Sequence, residues 1–253
     1  MSDASGSGAG GASGAGHGLT LITIPTLNER SNLDWFMQGI QALRDEKLHV
    51  LVADDDSLDG TWRTYGTQYA ADSKRFHLMR RPGHDKGRGF ALREAWQWAL
   101  DHQPRYEFVI EMAGNRSDHP AHLPALLARL EAGADVVVCE RSVAPGGDAS
   151  APRRNWGFAR TLVGAPVLDF ESGYRGFSRR ALELIAPRTL RSGDHGIKAE
   201  VMARVGRLQK KHGLRIETIP VPFIPPDMGH RQGGNTGLGG QIGLFLRRMT
   251  GGV

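Results

Sequence analysis

Polar and charged side chains follow each of the first four apolar runs of this 253-residue chain. They are Thr26, Asn28 and Glu29, then Asp54, Asp55 and Asp56, then Arg80 and Arg81, and finally Asn115 and Arg116. Guanidinium groups bind pyrophosphate oxygens through paired hydrogen bonds, so the arginines are suited to a phosphorylated ligand. The residue types indicate a binding site, provided that the fold brings the four segments together.

The apolar runs alternate with amphipathic segments, which predicts the elements that position these side chains. We expect strands at 19–25, 49–55, 76–81, 106–112 and 134–140, and helices at 31–44, 60–72, 88–102 and 120–132. Ser31 and Asp59 stand at two predicted helix starts and are residue types that cap helices. The alternation predicts an α/β fold, with a Rossmann-like, mostly parallel sheet flanked by helices. Sites in such sheets lie beyond the carboxyl ends of the strands.

The chain divides into a tail, one large domain and a C-terminal segment. Residues 1–18 are almost entirely Gly, Ala and Ser, which predicts a disordered, flexible tail. The domain is expected to span 19–235, with a second half that begins near 149 and contains 154–164, 168–178, 198–212 and 214–223. The glycine-rich end of this half predicts a C-terminal flap, followed by the segment 236–253. Residues 241–249 predict a short helix that docks on the domain or contacts a membrane surface.

Composition excludes several classes of protein. The apolar fraction of 40% supports a sizeable core, and the single Cys139 excludes an intrachain disulfide framework. No run reaches the roughly 18 apolar residues of a membrane span, so we expect a soluble, cytoplasmic protein with no integral membrane segment. The net charge is +5, but the sequence has no stretch in which basic and aromatic residues alternate as they do in nucleic-acid-binding proteins. No nucleic-acid partner is therefore expected. Glycine-rich dinucleotide and P-loop motifs are absent.

Four ordered stretches carry a more specific signal: PTLNER (25–30), VADDDSLDGT (52–61), ADVVVCERSVAPGG (134–147) and LDFESGYRGFS (168–178). Together they resemble the GT-A glycosyltransferases of family 2, and in particular the dolichol- or polyprenyl-phosphate mannosyltransferases. The resemblance implies a GT-A fold that transfers a sugar from a nucleoside diphosphate, expected to be GDP. It also implies that 19–148 binds the nucleotide sugar and 149–235 faces the acceptor.

The resemblance assigns roles to individual residues. The loop after the first strand would line the nucleotide pocket, Asp54 and Asp55 would contact the base and ribose, and Arg141 and Arg175 would face phosphate oxygens. The expected nucleotide-sugar-binding residues are Pro25, Thr26, Glu29, Asp54, Asp55, Lys86, Asn115, Arg141 and Arg175.

The stretch EMAGNRSDHP (111–120) departs from the family pattern, which has something like E-M-D-A-D-G-S-H-x-P here. The two family aspartates hold a divalent metal, whereas Ala113 has no ligating atom and Asn115 offers a neutral carbonyl. We therefore expect no metal ligands and no required cofactor, with Mg²⁺ or Mn²⁺ as the alternative. Arg116 is the first candidate to neutralise the departing diphosphate, before Arg141 and Lys86. Loss of catalysis is the rival hypothesis.

A second departure concerns the acceptor. The lipid-phosphate relatives have F-x-x-R-x-x-G-x-S-K after the last strand, but this chain has Pro226 at the Arg position. His230 and Arg231 at the flap, with His195, are candidate acceptor residues. A hydroxyl acceptor needs a base, whereas a phosphate or thiol-like sulfur does not. The candidate bases are Asp118, His119, Asp169, Glu171, Asp194 and His195. Of these, Asp118, Asp169 and Glu171 join Arg116 in the expected catalytic set.

These observations predict an inverting glycosyltransferase that uses a small soluble acceptor. The resemblance extends to a relative that S-glycosylates the thiol ergothioneine in antibiotic biosynthesis, and this chemistry would explain the missing lipid-phosphate motif and a weak need for a base. The alternatives are a polyprenyl-phosphate mannosyl- or glucosyltransferase and an inactive nucleotide-sugar-binding subunit. The sequence leaves open whether the chain forms a homo-oligomer.

Overall fold

The computed structural model describes residues 18–71, 73–83, 85–142, 167 and 169–224. Within these residues, seven strands form one sheet in the order β3-β2-β1-β4-β6-β5-β7. The strands are β1 (Thr20–Thr26), β2 (Leu48–Asp54), β3 (Phe76–Arg80), β4 (Phe108–Glu111), β5 (Val136–Ser142), β6 (Arg175–Ser178) and β7 (Ile216–Pro222). Pairs β1–β2, β1–β4, β2–β3 and β5–β7 are parallel, and β6 is antiparallel to β4 and β5. The prediction of a mostly parallel sheet is confirmed.

Helices follow most of the strands. They are α1 (Arg30–Ala42), α2 (Thr61–Tyr65), α3 (Arg88–Asp101), α4 (Leu123–Glu131), α5 (Arg179–Ile185) and α6 (Ile197–His212). A π-helical turn at Gly66–Ala70 continues α2, and 3₁₀ turns at Pro120–His122 and Pro187–Thr189 flank α4 and α5. No helix among the described residues is both long and apolar enough to cross a membrane.

The core lies on both faces of the sheet. Successive side chains of a strand point to opposite faces, so Leu21 and Ile22 of β1 belong to two different apolar clusters. Helices α3, α5 and α6 cover the Leu21 face, where Trp96 is fully buried, and α1 and α4 cover the other, where Phe36 is buried. Each fully buried large apolar side chain contributes about 1.5–3 kcal/mol. The two clusters fix the sheet and leave its ends to the polar loops.

The strands predicted at 106–112 and 168–178 are both shorter in the structure. The fourth strand is limited to Phe108–Glu111, and the stretch that follows is a loop. The strand predicted at 168–178 is limited to β6, because the residues just before β6 form a turn that begins at Asp169. Its carboxylate accepts from Glu171 N at 3.2 Å and its carbonyl from Ser172 N at 3.2 Å. These bonds replace strand pairing before β6.

The predicted caps had different outcomes. Ser31 does not cap α1, because the helix already begins at Arg30 and Ser31 lies inside it. Asp59 Oδ2 instead accepts from Arg30 N at 3.0 Å, and Asp59 Oδ1 accepts from Thr61 N at 2.9 Å. One carboxylate therefore satisfies donors at the starts of α1 and α2, although Gly60 stands at the N-cap position of α2. The predicted helix 60–72 is divided between α2 and the π-helical turn.

Several predictions fall outside the described residues. They are the tail up to residue 17, the stretch 154–164, Pro226, the flap residues His230 and Arg231, and the C-terminal segment 236–253. The division of 19–235 into two halves stays a prediction.

Candidate active site

The loops after β1 and β2 are joined by side-chain hydrogen bonds. Thr26 Oγ1 donates to Asp54 Oδ2 at 2.8 Å, and Asp54 also accepts from Ser57 N at 2.8 Å and Ser57 Oγ at 2.6 Å. Asn28 Oδ1 accepts from Leu58 N at 3.0 Å. Asp54 is 0% exposed. The two motifs PTLNER and DDDSLDGT thus form one unit, with the Asp54 carboxylate at its centre.

Asp55 connects this unit to the loop before α3. Its Oδ2 accepts from Gly87 N at 2.6 Å, and its Oδ1 pairs with the guanidinium of Arg81. Arg81 also binds Glu94 at 2.9 Å. Burial raises the pKa of Asp55, and the Gly87 N–H and Arg81 oppose that rise. Asp55 therefore anchors the start of α3 beside the β2 loop.

Glu111, at the end of β4, binds two arginines. Its Oε1 pairs with Arg88 NH2 at 2.8 Å, and its Oε2 accepts from Arg175 Nε at 3.0 Å and pairs with Arg175 NH2. Burial by itself would raise the pKa of Glu111, but Arg175 and Arg88 outweigh burial and lower it. Glu111 and Arg175 are both 0% exposed. The β4 end therefore holds a buried charge network.

The loop 112–119 lies between this network and the β1 loop. Asp118 Oδ2 accepts from Ala113 N at 2.7 Å, and Asn115 Oδ1 accepts from Ser117 Oγ at 2.7 Å. A Cβ at Gly114 would lie 3.3 Å from Thr26 Cγ2, so the loop packs closely on the β1 loop. Arg116 has a left-handed φ of 63°, and its NH2 donates to Ser31 O at 3.0 Å.

A lysine of α6 completes the cluster. Lys198 Nζ donates to Glu171 O at 2.8 Å, and Arg175 NH1 donates to Lys198 O at 3.1 Å. Burial, followed by the charge of Arg88, lowers the pKa of Lys198 to about 7. Burial raises the pKa of Asp118, whose charge interacts with those of Lys198 and Arg88.

Arg141 and Asp169 form a separate bidentate pair beside Lys198. Arg141 Nε and NH2 lie 2.6 and 2.7 Å from Asp169 Oδ2 and Oδ1. The charge of Arg141 contributes to the lowered pKa of Lys198. The carboxyl end of the sheet therefore collects guanidinium, ammonium and carboxylate groups from β4, β5, β6, α3 and α6.

Residues 21–185 match the family described as Glycosyl transferase family 2. The chain belongs to this family. It is 30% identical over 222 residues to Polyprenol monophosphomannose synthase of Mycolicibacterium smegmatis, across 83% of this chain and 79% of that protein. It is also 30% identical over 217 residues to Undecaprenyl-phosphate mannosyltransferase of Micrococcus luteus, across 83% and 85% of the two chains. The predicted family and the predicted glycosyltransferase activity are confirmed.

A solved structure supports the fold. Glucosyl-3-phosphoglycerate synthase from Mycobacterium tuberculosis, in complex with Mn²⁺, UDP and phosphoglyceric acid, superposes with a TM-score of 0.64 at 18% identity. The match covers 92% of this chain and 78% of that chain. Together with the sheet order, it confirms the predicted GT-A-like architecture.

The residues of this family 2 glycosyltransferase do not fit a strongly held divalent cation at the loop 112–119. The side chain of Ala113 has no ligating atom, and the side-chain carbonyl oxygen of Asn115 accepts two hydrogen bonds from Ser117. Among the described residues, no group of three or more His, Cys, Asp or Glu side chains is arranged to hold a metal ion. A hard dication requires anionic oxygen ligands, which these two positions lack.

The structure brings many of the predicted site residues to this edge of the sheet. Those inside the joined loops and the charge network are Thr26, Glu29, Asp54, Asp55, Asn115, Asp118, Arg141, Asp169, Glu171 and Arg175. Pro25 is half-buried at the end of β1, whereas Lys86 and His195 are exposed. Arg116 lies at the first turn of α1. The roles assigned to all of these residues stay predictions.

Sequence reasoning missed Arg88 and Lys198 as site residues. The G-R-G stretch at 87–89 gave a weak signal for Arg88, because a helix-start loop is suited to a phosphate. Lys198 gave none, since a lysine near a helix start is ordinarily a solvated surface residue. Its importance depends on contacts with residues far away in the chain.

Proposed function

We propose that this glycosyltransferase moves a sugar, with inversion, from a nucleoside diphosphate to an acceptor that supplies its own anionic nucleophile. The observation that carries the proposal is the charge network beside the joined β1 and β2 loops, at the carboxyl ends of the strands. Sites in parallel sheets lie at this edge. Guanidinium and ammonium groups there are suited to the phosphates of a sugar nucleotide.

The donor is expected to lie over the joined loops, with GDP as the nucleotide. The preference for GDP rests on the resemblance of the sequence motifs to those of the dolichol- and polyprenyl-phosphate mannosyltransferases. Asp54 and Asp55 already bind protein donors, so any contact with the base or ribose would use lone pairs that these bonds leave.

The partners and burial of the candidate bases indicate which kind of acceptor the site suits. Asp169 is held in a bidentate pair by Arg141, and Asp118 is buried behind the Ala113 N–H. Two of the three candidate bases of the catalytic set are therefore not placed as open general bases, which favours an acceptor that needs no strong deprotonation. A phosphate oxygen of a polyprenyl phosphate meets that requirement, and the two relatives are named for polyprenol monophosphomannose and for undecaprenyl phosphate.

The reaction is then a single displacement. The acceptor oxygen attacks the anomeric carbon from the side opposite the diphosphate, a new C–O bond forms, and the bond to the diphosphate oxygen breaks. The electron pair of the broken bond stays on the leaving nucleoside diphosphate, which gains one negative charge. The network at the carboxyl edge is the part of the enzyme that neutralises it.

A small soluble acceptor is the second candidate. Pro226 stands where the lipid-phosphate relatives have the arginine of their acceptor motif, which removes one expected phosphate contact. A thiol such as that of ergothioneine would also attack without strong help from a base.

One labelling experiment separates these functions. The purified full chain is incubated with radiolabelled GDP-, UDP- and dTDP-sugars, once with polyprenyl phosphate in detergent and once with a panel of water-soluble thiols and phosphates. Label that enters the organic phase with polyprenyl phosphate supports the first candidate, and an aqueous product supports the second. Nucleotide binding without transfer to any acceptor would support the inactive binding subunit and contradict the proposal.

A further inference from the structure

We infer that Lys198, together with Arg88, supplies the positive charge that the departing diphosphate meets, in place of a divalent metal. The inference rests on the proposed sugar-nucleotide chemistry and names the groups that neutralise the leaving group. It assigns this role to α6 and α3, rather than to Arg116 of the loop 112–119.

The first observation behind the inference is that the two cations lie next to each other. Arg88 lies at the start of α3 and Lys198 in the first turn of α6, and both approach Gly173. A Cβ at Gly173 would lie 2.5 Å from Arg88 NH2 and 3.4 Å from Lys198 Cε. The absence of a side chain at Gly173 therefore allows both cations to sit side by side next to Asp118 and Glu111.

The balance of charge carries the second step. Among the described residues, four basic side chains and three carboxylates are linked by ion pairs or electrostatic contact, which leaves one excess positive charge when all are ionised. They are Arg88, Arg141, Arg175 and Lys198, with Glu111, Asp118 and Asp169. The raised pKa of Asp118 increases this excess when that carboxyl is protonated, and the lowered pKa of Lys198 reduces it until an anion binds. An excess of positive charge favours an anionic ligand.

The partners of each cation identify which one is available. Arg141 forms a bidentate pair with Asp169, and Arg175 and Arg88 share the two oxygens of Glu111, so each of these guanidinium groups has a carboxylate partner. The amine of Lys198 donates instead to the neutral carbonyl of Glu171 at 2.8 Å. Burying an ammonium group is costly unless an anion accompanies it, and burial accordingly lowers the pKa of Lys198 to about 7. A bound diphosphate would provide that anion.

The altered loop carries the third step. With aspartates in place of Ala113 and Asn115, the same edge would hold two more negative charges and would need a dication to offset them. Without them, the network already has the sign of charge that a diphosphate requires. The sequence change at 113 and 115 and the presence of Lys198 are thus two parts of one arrangement.

The test compares the wild-type full chain with Lys198→Met, Lys198→Arg and the exposed control Lys210→Met. Turnover of the best donor and calorimetric GDP binding are measured in excess EDTA and again with Mn²⁺. We expect Lys198→Met to lose about 10²–10³-fold in kcat, the range seen when one donor to a developing anion is removed. Lys198→Arg should recover most of that loss, and Lys210→Met should match wild type. Circular dichroism and Tm establish that each variant is folded.

A second readout is specific to the amine. Because a bound diphosphate would raise the pKa of Lys198, GDP binding near pH 7.5 should take up protons, measured by calorimetry in buffers of different ionisation enthalpy. Lys198→Arg should abolish the uptake, since arginine stays charged. If Lys198→Met does not fold, the difference in proton uptake between wild type and Lys198→Arg still tests the inference.

The outcomes distinguish failure of this inference from failure of the proposed function. If the wild-type enzyme is active and Lys198→Met turns over equally fast, the role of Lys198 is overturned but the proposed function is not. Wild-type turnover that EDTA abolishes and Mn²⁺ restores would also overturn that role. No nucleotide binding and no turnover by wild type would overturn the proposed function and this inference together.

Discussion

The two ends of the sheet bury polar groups in opposite ways. The carboxyl end holds ionised groups in pairs, as in the contacts of Glu111 with Arg88 and Arg175. The amino end holds neutral rings: His49 Nδ1 and Tyr106 OH are 3.0 Å apart, and the rings of Trp98 and His102 stack with centroids 3.9 Å apart. The same sheet therefore supports a network of charged groups at one end and an uncharged aromatic cluster at the other.

The pKa directions express this difference. Arg175 and Arg88 lower the pKa of Glu111 in spite of its burial, so the carboxyl end keeps its charge. At the amino end, burial lowers the pKa of His77 to about 4, so its ring stays neutral. Buried charge is expensive and persists only where partners or ligands compensate it. Under the proposed function, a charged ligand at the carboxyl end would compensate for part of that cost.

The largest expected effect comes from breaking the pairs at the carboxyl end. Glu111→Gln leaves two buried guanidinium groups without their shared carboxylate, so the free energy of unfolding should fall by about 3–5 kcal/mol. Urea denaturation measures the change. Glu183→Gln is the matched control, because Glu183 pairs with Arg179 on an exposed helix surface and should cost less than about 1 kcal/mol. Equal losses in the two variants would contradict a buried charge network.

The next effect concerns the nucleotide. Asp54→Ala should weaken GDP binding more than tenfold, about 1.4 kcal/mol, if the carboxylate contacts the nucleotide as the resemblance implies. Ser57→Ala is the control, because it removes one partner of Asp54 and keeps the carboxylate. Calorimetry gives both affinities. An equal loss in the two variants would assign Asp54 to the shape of the joined loops, and unchanged affinity would remove it from the site.

A smaller effect is expected for Arg116→Ala. The sequence makes Arg116 the first candidate for charge replacement, but its guanidinium donates to the Ser31 carbonyl. If Lys198 carries the role, kcat of Arg116→Ala should fall by less than about tenfold, a change in barrier below about 1.4 kcal/mol. Steady-state kinetics beside Lys198→Met measure the difference. A larger loss for Arg116→Ala than for Lys198→Met would restore the sequence-based assignment.

The smallest effect belongs to the amino end and depends on pH. Because the pKa of His77 is lower in the folded state, the unfolded chain binds a proton at this residue more readily than the folded one. The free energy of unfolding therefore decreases as pH falls from 6.5 to about 4. His77→Gln should make this loss shallower, as measured by denaturation at intervals across that range. Identical pH dependence in wild type and His77→Gln would show that the ring is not held neutral.

The sequence could predict what depends on local pattern. The apolar runs of β1 and β2 and the polar residues after them identify both strands and the edge where the loops meet, because period and turn chemistry are local properties. Asp59 was recognisable as a capping residue for the same reason. The helix starts that it serves lie on two different segments, and only the fold reveals the second one.

Pairing across the fold could not be predicted in the same way. Arg175 was expected to face phosphate, yet it is fully buried against Glu111, and the sequence between them gives no sign of that contact. From the sequence, Lys198 is expected to be a surface residue of a helix. In the tertiary structure it lies close to Arg88 and Asp118. Charge networks are assembled from distant segments, so their members are recognised only after the sheet order is known.

The most direct test of a metal-free donor site is calorimetric titration of GDP into the wild-type chain in excess EDTA, repeated with Mn²⁺. We predict that binding in EDTA is retained with an affinity close to that in Mn²⁺, because Lys198 and Arg88 provide the charge. Binding that disappears in EDTA and returns with Mn²⁺ would contradict this account and would mean that other groups hold a metal at this edge.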